Sequence, residues 1–263
     1  LLGPSGRLMI VAADHPARGA LAAGDRPLAM ADRAELLHRV CVALGRPGVD
    51  GVLGTPDVIE DLLLLGVLDD KVVIGSMNRG GLAGTSFEID DRFTAYDPAA
   101  IAGQGLDGGK MLLRIDDEDP ATVRTLESCA NAVTGLARSR RIAMVEPFVS
   151  RRSGGRVRNV LTADAMTRAV TIASGLGATS AYTWLKLPVV EEMERVVAAS
   201  TLPVVLLGGE VSADAADQDS ALAGWRKTLA LPGVMGLVAG RTMLYPPGDD
   251  VVAAVDAAVE VMS

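Results

Sequence analysis

Arg141-Ile142-Ala143-Met144-Val145-Glu146 and, further along, Ala181-Tyr182-Thr183-Trp184-Leu185-Lys186-Leu187-Pro188 are two short apolar runs with an amphipathic stretch, 162–176, between them. Runs of this length read as buried strands, and the helical period between them makes the unit strand–helix–strand. The same alternation extends in both directions. Strands are predicted at 7–13, 49–54, 71–76, 109–115, 141–146, 181–187, 203–208 and 234–239, with helices at 29–45, 56–66, 120–139, 162–176, 189–200, 218–230 and 249–262. Eight strands in 263 residues, with no Pro/Gly/Ser linker dividing them, predict a single-domain (β/α)8 TIM barrel over 1–263. A doubly wound sheet is the runner-up, but no Gly-x-Gly-x-x-Gly follows the first strand.

Two connections are long, Met77 to Gly108 and Pro147 to Leu161. Both follow strands, so both belong on the C-terminal face, where barrels do chemistry. No helical pattern is evident between the third and fourth strands. Asn78 to Gly84 reads as a loop folding over the mouth.

A net charge of -8 argues against a nucleic-acid or anionic-membrane surface. No apolar run reaches the roughly 18 residues needed to cross a bilayer. The first residues carry no signal-peptide pattern, and Cys41 and Cys129 form no disulfide framework, so a cytoplasmic location is expected. His15 and His38 are the only histidines, which makes a His-rich zinc site improbable, and neither metal nor cofactor is expected. The chemistry falls to Lys, Asp, Glu and Arg.

Alternate residues of a strand share a face. If Met111, Leu113 and Ile115 face the helices, Lys110, Leu112 and Arg114 point inward. The same rule sends Ile10, Ala12 and Asp14, then Ile142, Met144 and Glu146, then Trp184 and Lys186, to the barrel interior. Each polar residue alone has a plain reading: a turn or helix cap for Asp14, a solvated strand end for Glu146, a structural ion-pair partner for Lys110. Their convergence suits imine chemistry. A neutral Lys186 attacks a ketone, Lys110 depresses its pKa, Glu146 moves a proton and Asp14 assists.

Strand seven ends in Leu207-Gly208-Gly209-Glu210 and strand eight in Val238-Ala239-Gly240-Arg241. Glycines in the last two loops of a barrel let a phosphate approach backbone N–H groups, and Arg241 adds a charged donor. Simple turns are the competing reading, and Ser212 reads equally as a helix cap or an anion contact. Arg151, Arg152, Arg156 and Arg158, around Gly154-Gly155, read either as a solvated loop or as a site for a second anionic group, as do Arg79 and Arg92.

On these residues the chain resembles the class I, Schiff-base aldolases of the DhnA/DeoC/LacD superfamily. The resemblance rests on Ala13-Asp14-His15, Lys110-Met111-Leu112-Leu113, Met144-Val145-Glu146-Pro147, Leu185-Lys186, Leu207-Gly208-Gly209 and Ala239-Gly240-Arg241. It implies Lys186 as the imine nucleophile and Asp14 as an active-site residue. It further implies phosphate binding by Gly208, Gly209, Gly240 and Arg241. Arg114, inward by parity, and His15, next to Asp14, are also placed at the substrate. Glu146 stands where the archaeal fructose-bisphosphate branch has a tyrosine, as in the tagatose-bisphosphate branch. The chain also resembles an actinobacterial branch encoded with inositol-catabolism enzymes, which implies 5-dehydro-2-deoxy-6-phosphogluconate as substrate. The expected partner is a small phosphorylated sugar or keto acid, and the resemblance implies a homo-oligomer. A thiolase-like acyl transferase and a non-catalytic sugar-phosphate binder are the alternatives.

Overall fold

The computed structural model describes residues 2, 6–209 and 215–262; Glu210 and Ser212 lie outside the described residues. In chain order the elements are β1 (Leu8–Ala12), α1 (Arg33–Leu44), β2 (Gly51–Gly54), α2 (Pro56–Leu64), β3 (Val72–Ser76), α3 (Pro98–Gly103), β4 (Gly108–Ile115), α4 (Ala121–Arg138), β5 (Ile142–Ser153), β6 (Arg156–Asn159), α5 (Ala163–Ser174), β7 (Thr183–Leu187), α6 (Met193–Val197), β8 (Val204–Leu207), α7 (Ala215–Leu229), β9 (Val234–Ala239), α8 (Arg241–Leu244) and α9 (Val251–Glu260). Every strand but β6 pairs in parallel with its neighbours, and the β9–β1 and β4–β5 pairings close the ring. The result is an eight-stranded TIM barrel, in which β6 is an outer hairpin strand.

Strand parity holds. Leu8, Ile10, Ala12, Leu53, Ile74, Ile142, Met144, Val205 and Val238 fill the barrel interior, with Trp184 packed against them. Met9, Val11, Met111, Leu113, Ala143, Val145, Leu185 and Leu187 belong to the larger layer between strands and helices. Burying each such side chain contributes roughly 1.5–3 kcal/mol, which is why the pattern dictates which face turns inward. Register then sets the height of the polar residues. Ser76 pairs with Lys110, Lys110 with Met144 and Met144 with Trp184, forming one level across four strands. Glu146 and Lys186, each two residues further on, share the next level up.

Three departures from the sequence reading have local causes. A short helix, α3, does occupy the third connection, where the Asp97 carboxylate accepts from Ala100 N–H and Pro98 takes the first turn. The segment after Glu146 is not a loop: β5 runs on to Ser153, turns at Gly154-Gly155, both with positive φ, and returns as β6. Helix α6 is much shorter than 189–200; it is preceded by Glu192 in the left-handed region (φ 55°), which separates it from Pro188. Among the described residues no helix is long and apolar enough to cross a membrane.

Candidate active site

The C-terminal mouth of the barrel holds a chain of buried charges. Lys186, at the end of β7, lies 3.2 Å through Nζ from Glu146 Oε1, and Glu146 Oε2 pairs with Lys110 Nζ. From its lower level on β4, Lys110 also reaches Asp14 Oδ2 at 3.3 Å, just past the end of β1. All four are nearly inaccessible, with Glu146 the most exposed at 8%. Burial would push both carboxyl groups up, but the facing cations win. Glu146 is held down at about 2 by Lys110 and Lys186, and Asp14 well below the usual range by Lys110 and Arg79. Burial takes Lys110 the other way, down to about 8, despite the two carboxylates that oppose the shift.

Two further residues complete the cluster. Ser76, inward-facing at the end of β3, donates from Oγ to Asp14 Oδ2 at 2.8 Å. Arg79 pairs with the same oxygen at 3.1 Å and donates to the Asp14 carbonyl at 3.2 Å. Ser76 did not stand out in the sequence, and Arg79, read there as a solvated loop residue or a contact for a second anionic group, is instead buried against Asp14. Ser76 obeys the parity rule but carries no charge, and Arg79 lies in a loop that has no period.

That loop is a cap stitched to the barrel. The Asn78 side chain pairs with the Leu112 backbone in both directions, donating to its carbonyl and accepting from its N–H at 2.8 Å. Buried Arg18, from the loop after β1, pairs with Asp91 and donates to the carbonyls of Gly81 (2.6 Å) and Asn78 (3.0 Å). Arg114, expected at the substrate, instead pairs with Glu88 and donates to the Glu88 carbonyl at 2.7 Å, so it holds the cap rather than joining the charged chain. The basic stretch is similarly engaged in part. Arg152 donates to the Ser86 carbonyl at 2.9 Å, and Arg151 pairs with Asp116 and Asp117.

Across the mouth, the ends of β8 and β9 lie side by side. A Cβ on Gly208 would stand 2.5 Å from Thr242 Oγ1, and Gly209 has φ 73°, so both positions require glycine. A Cβ on Gly240 would clash with the Ala12 carbonyl and sit 2.8 Å from the His15 ring. His15 therefore packs against this turn. Burial first, then Arg241 and the two lysines, depress its pKa and outweigh Asp14, leaving a neutral imidazole. Arg241 Nε and Thr242 Oγ1 are shielded and make no hydrogen bond among the described residues.

The arrangement can hold a reactive amine beside a carboxylate in a site sealed from water on one side, facing a glycine-built turn. Solved structures share the barrel. An archaeal fructose 1,6-bisphosphate aldolase, solved with its catalytic Lys covalently bound to a carbinolamine intermediate, superposes with TM-score 0.69 at 17% identity, over 99% of this chain and 96% of that one. A Schiff-base-forming fructose-1,6-bisphosphate aldolase gives 0.68 at 19% identity over 100% and 96%. At such identities the likeness establishes the barrel. No match was found among curated proteins. The crystal structure of Cgl0159 from Corynebacterium glutamicum is far nearer, with 56% identity, TM-score 0.96, and 100% of this chain aligned to 87% of that one. The Cgl0159-like family model matches residues 6–259, and the chain belongs to that family.

Proposed function

We propose that this protein is a class I aldolase that cleaves a phosphorylated ketose or keto acid to dihydroxyacetone phosphate and an aldehyde. One observation carries the reading: a buried lysine at the C-terminal end of a barrel strand, paired with a carboxylate that is itself bridged to a second buried lysine. A lysine held there beside a carboxylate, shielded from water, is placed where an amine can add to a carbonyl.

Lys186 Nζ adds to the ketone, and loss of water gives an iminium. The bond one carbon removed then breaks, its electron pair flowing into the iminium to form an enamine. The hydroxyl on the departing carbon becomes the aldehyde carbonyl and releases its proton to Glu146. Protonation of the enamine and hydrolysis release dihydroxyacetone phosphate and restore the amine, with no net oxidation. Electrostatics favour this order. Glu146 is a poor base while two cations face it, but the enamine is neutral, so its formation removes one cation as the proton must be accepted. Asp14 assists from the other side of Lys110. Gly208, Gly209, Gly240 and Arg241 bind the phosphate, and His15 lines that turn.

The resemblance to the inositol-associated branch makes 5-dehydro-2-deoxy-6-phosphogluconate the first substrate to test. The enzyme is expected to act in the cytoplasm as a homo-oligomer. The experiment is intact-mass screening with borohydride across phosphorylated ketoses and keto acids. A stable mass increase with at least one, together with dihydroxyacetone phosphate release, is expected; the absence of any adduct across the panel overturns the proposal.

A further inference from the structure

We propose that Arg79 is a positioning residue for this chemistry, fixing the Asp14 carboxylate from the cap so that one oxygen is held by the protein and the other faces the substrate. The inference rests on the aldolase reading and adds a residue to it.

The two oxygens of Asp14 have unlike surroundings. Oδ2 accepts from Ser76 Oγ at 2.8 Å and from Lys110 Nζ at 3.3 Å, and forms an ion pair with Arg79 at 3.1 Å. Two hydrogen bonds and a facing guanidinium occupy it. Oδ1 makes no hydrogen bond among the described residues. His15 Nδ1 stands 3.9 Å from it, beyond hydrogen-bond range, and the His15 ring packs on Gly240. Oδ1 thus lies on the His15 side with no protein donor among the described residues, and is left to accept from a substrate hydroxyl.

Arg79 ties this orientation to the cap: its guanidinium pairs with the carboxylate and donates to the backbone carbonyl of Asp14. Its own Nε donates to the Asn78 carbonyl at 2.8 Å, and Asn78 is locked to β4 through Leu112. A guanidinium can span these acceptors because its donors form a rigid fork; a lysine ammonium replaces the charge but not the fork. Arg79 is 6% exposed, so the grip is not loosened by solvent. The competing explanation is that Arg79 only ties down the cap, as Arg18 and Arg114 do.

The test is a double-mutant cycle on the ketose phosphate that forms the borohydride adduct. Wild type, Arg79→Met, Arg79→Lys, Asp14→Asn and the two double variants are compared for kcat, KM and the pH dependence of kcat. If Arg79 acts through Asp14, Arg79→Met lowers kcat about 100-fold with KM changed less than about threefold. Its acid limb moves to higher pH, because a cation holding Asp14 ionised has gone. Arg79→Lys recovers at least about tenfold of the loss, and in the Asp14→Asn background either Arg79 change costs less than about threefold. Equal cost in both backgrounds, with an unmoved acid limb and no rescue by lysine, overturns the proposal. Should Arg79→Met not fold, the Arg79→Lys arm is read through the cycle alone: a loss that falls below about threefold in the Asp14→Asn background supports the role, and an equal loss in both backgrounds overturns it. A wild-type adduct with additive losses defeats only the role of Arg79, whereas a missing wild-type adduct defeats the aldolase reading itself.

Discussion

Replacing Glu146 by Gln preserves shape and removes the charge shared by two buried lysines, so its effect can be worked out from the ion-pair chain. Glu146 is the only ion-pair partner of Lys186 among the described residues, while Lys110 retains Asp14 at 3.3 Å. The variant therefore strands one buried cation outright, and breaking a buried pair from one side costs about 3–5 kcal/mol. At roughly 2–4 °C per kcal/mol for a chain of this size, Tm should fall by about 6–20 °C at pH 7. Lys186→Met is milder, because Glu146 keeps Lys110. The double variant Lys186→Met/Glu146→Leu, which replaces the pair by apolar groups, should recover part of the Glu146→Gln loss. Urea unfolding of the three variants, followed by far-UV circular dichroism, measures the order. If Glu146→Gln lies within about 1 kcal/mol of wild type, or Lys186→Met is the more damaging, the chain of pairs described here is wrong.

Other outcomes follow from the same geometry. Stability should fall on acidification: Glu146 at about 2, against an ordinary 4.5, contributes stability that is complete above 4.5 and is lost as pH falls through 2. Unfolding free energies at pH 7, 4 and 3 should show that decline, with a shallower one in Glu146→Gln. Gly208→Ala places a Cβ 2.5 Å from Thr242 Oγ1 in the proposed phosphate turn, so KM for a phosphorylated substrate should rise about tenfold or more while borohydride still traps the imine on Lys186 at saturating substrate. Asp91→Asn leaves buried Arg18 without its counter-charge, so hydrogen exchange across 78–92 should accelerate at least about tenfold, and unchanged protection would refute the cap's anchoring.

The barrel and the cluster of buried charges at its mouth were legible because both obey period-2 parity. Apolar residues on one face of β1, β4, β5 and β7 predict which way Asp14, Lys110, Glu146 and Lys186 turn, and the sheet register brings them together. Parity says nothing about loops. Arg79 and Arg18 gain their roles from partners 65 and 73 residues away in sequence, and no local pattern encodes those contacts. Arg114 obeyed parity but was drawn off by Glu88, since a buried guanidinium takes the nearest carboxylate. The β5–β6 hairpin hid because its positively charged strands lack the apolar alternation of a core strand, although Gly154-Gly155 marks its turn. Helix α3 carries only the Asp97-Pro98 signal, because six residues are too few to show a helical period.

The central claim is that Lys186, and not its neighbour Lys110, forms the covalent bond. Wild type and Lys186→Met should be treated with borohydride and the ketose phosphate that gives the intact-mass shift, then digested and mapped by peptide mass. The added mass should map to the peptide carrying Lys186 in wild type, with no adduct and no dihydroxyacetone phosphate from the variant. An adduct on Lys110, or turnover surviving in Lys186→Met, would contradict the claim.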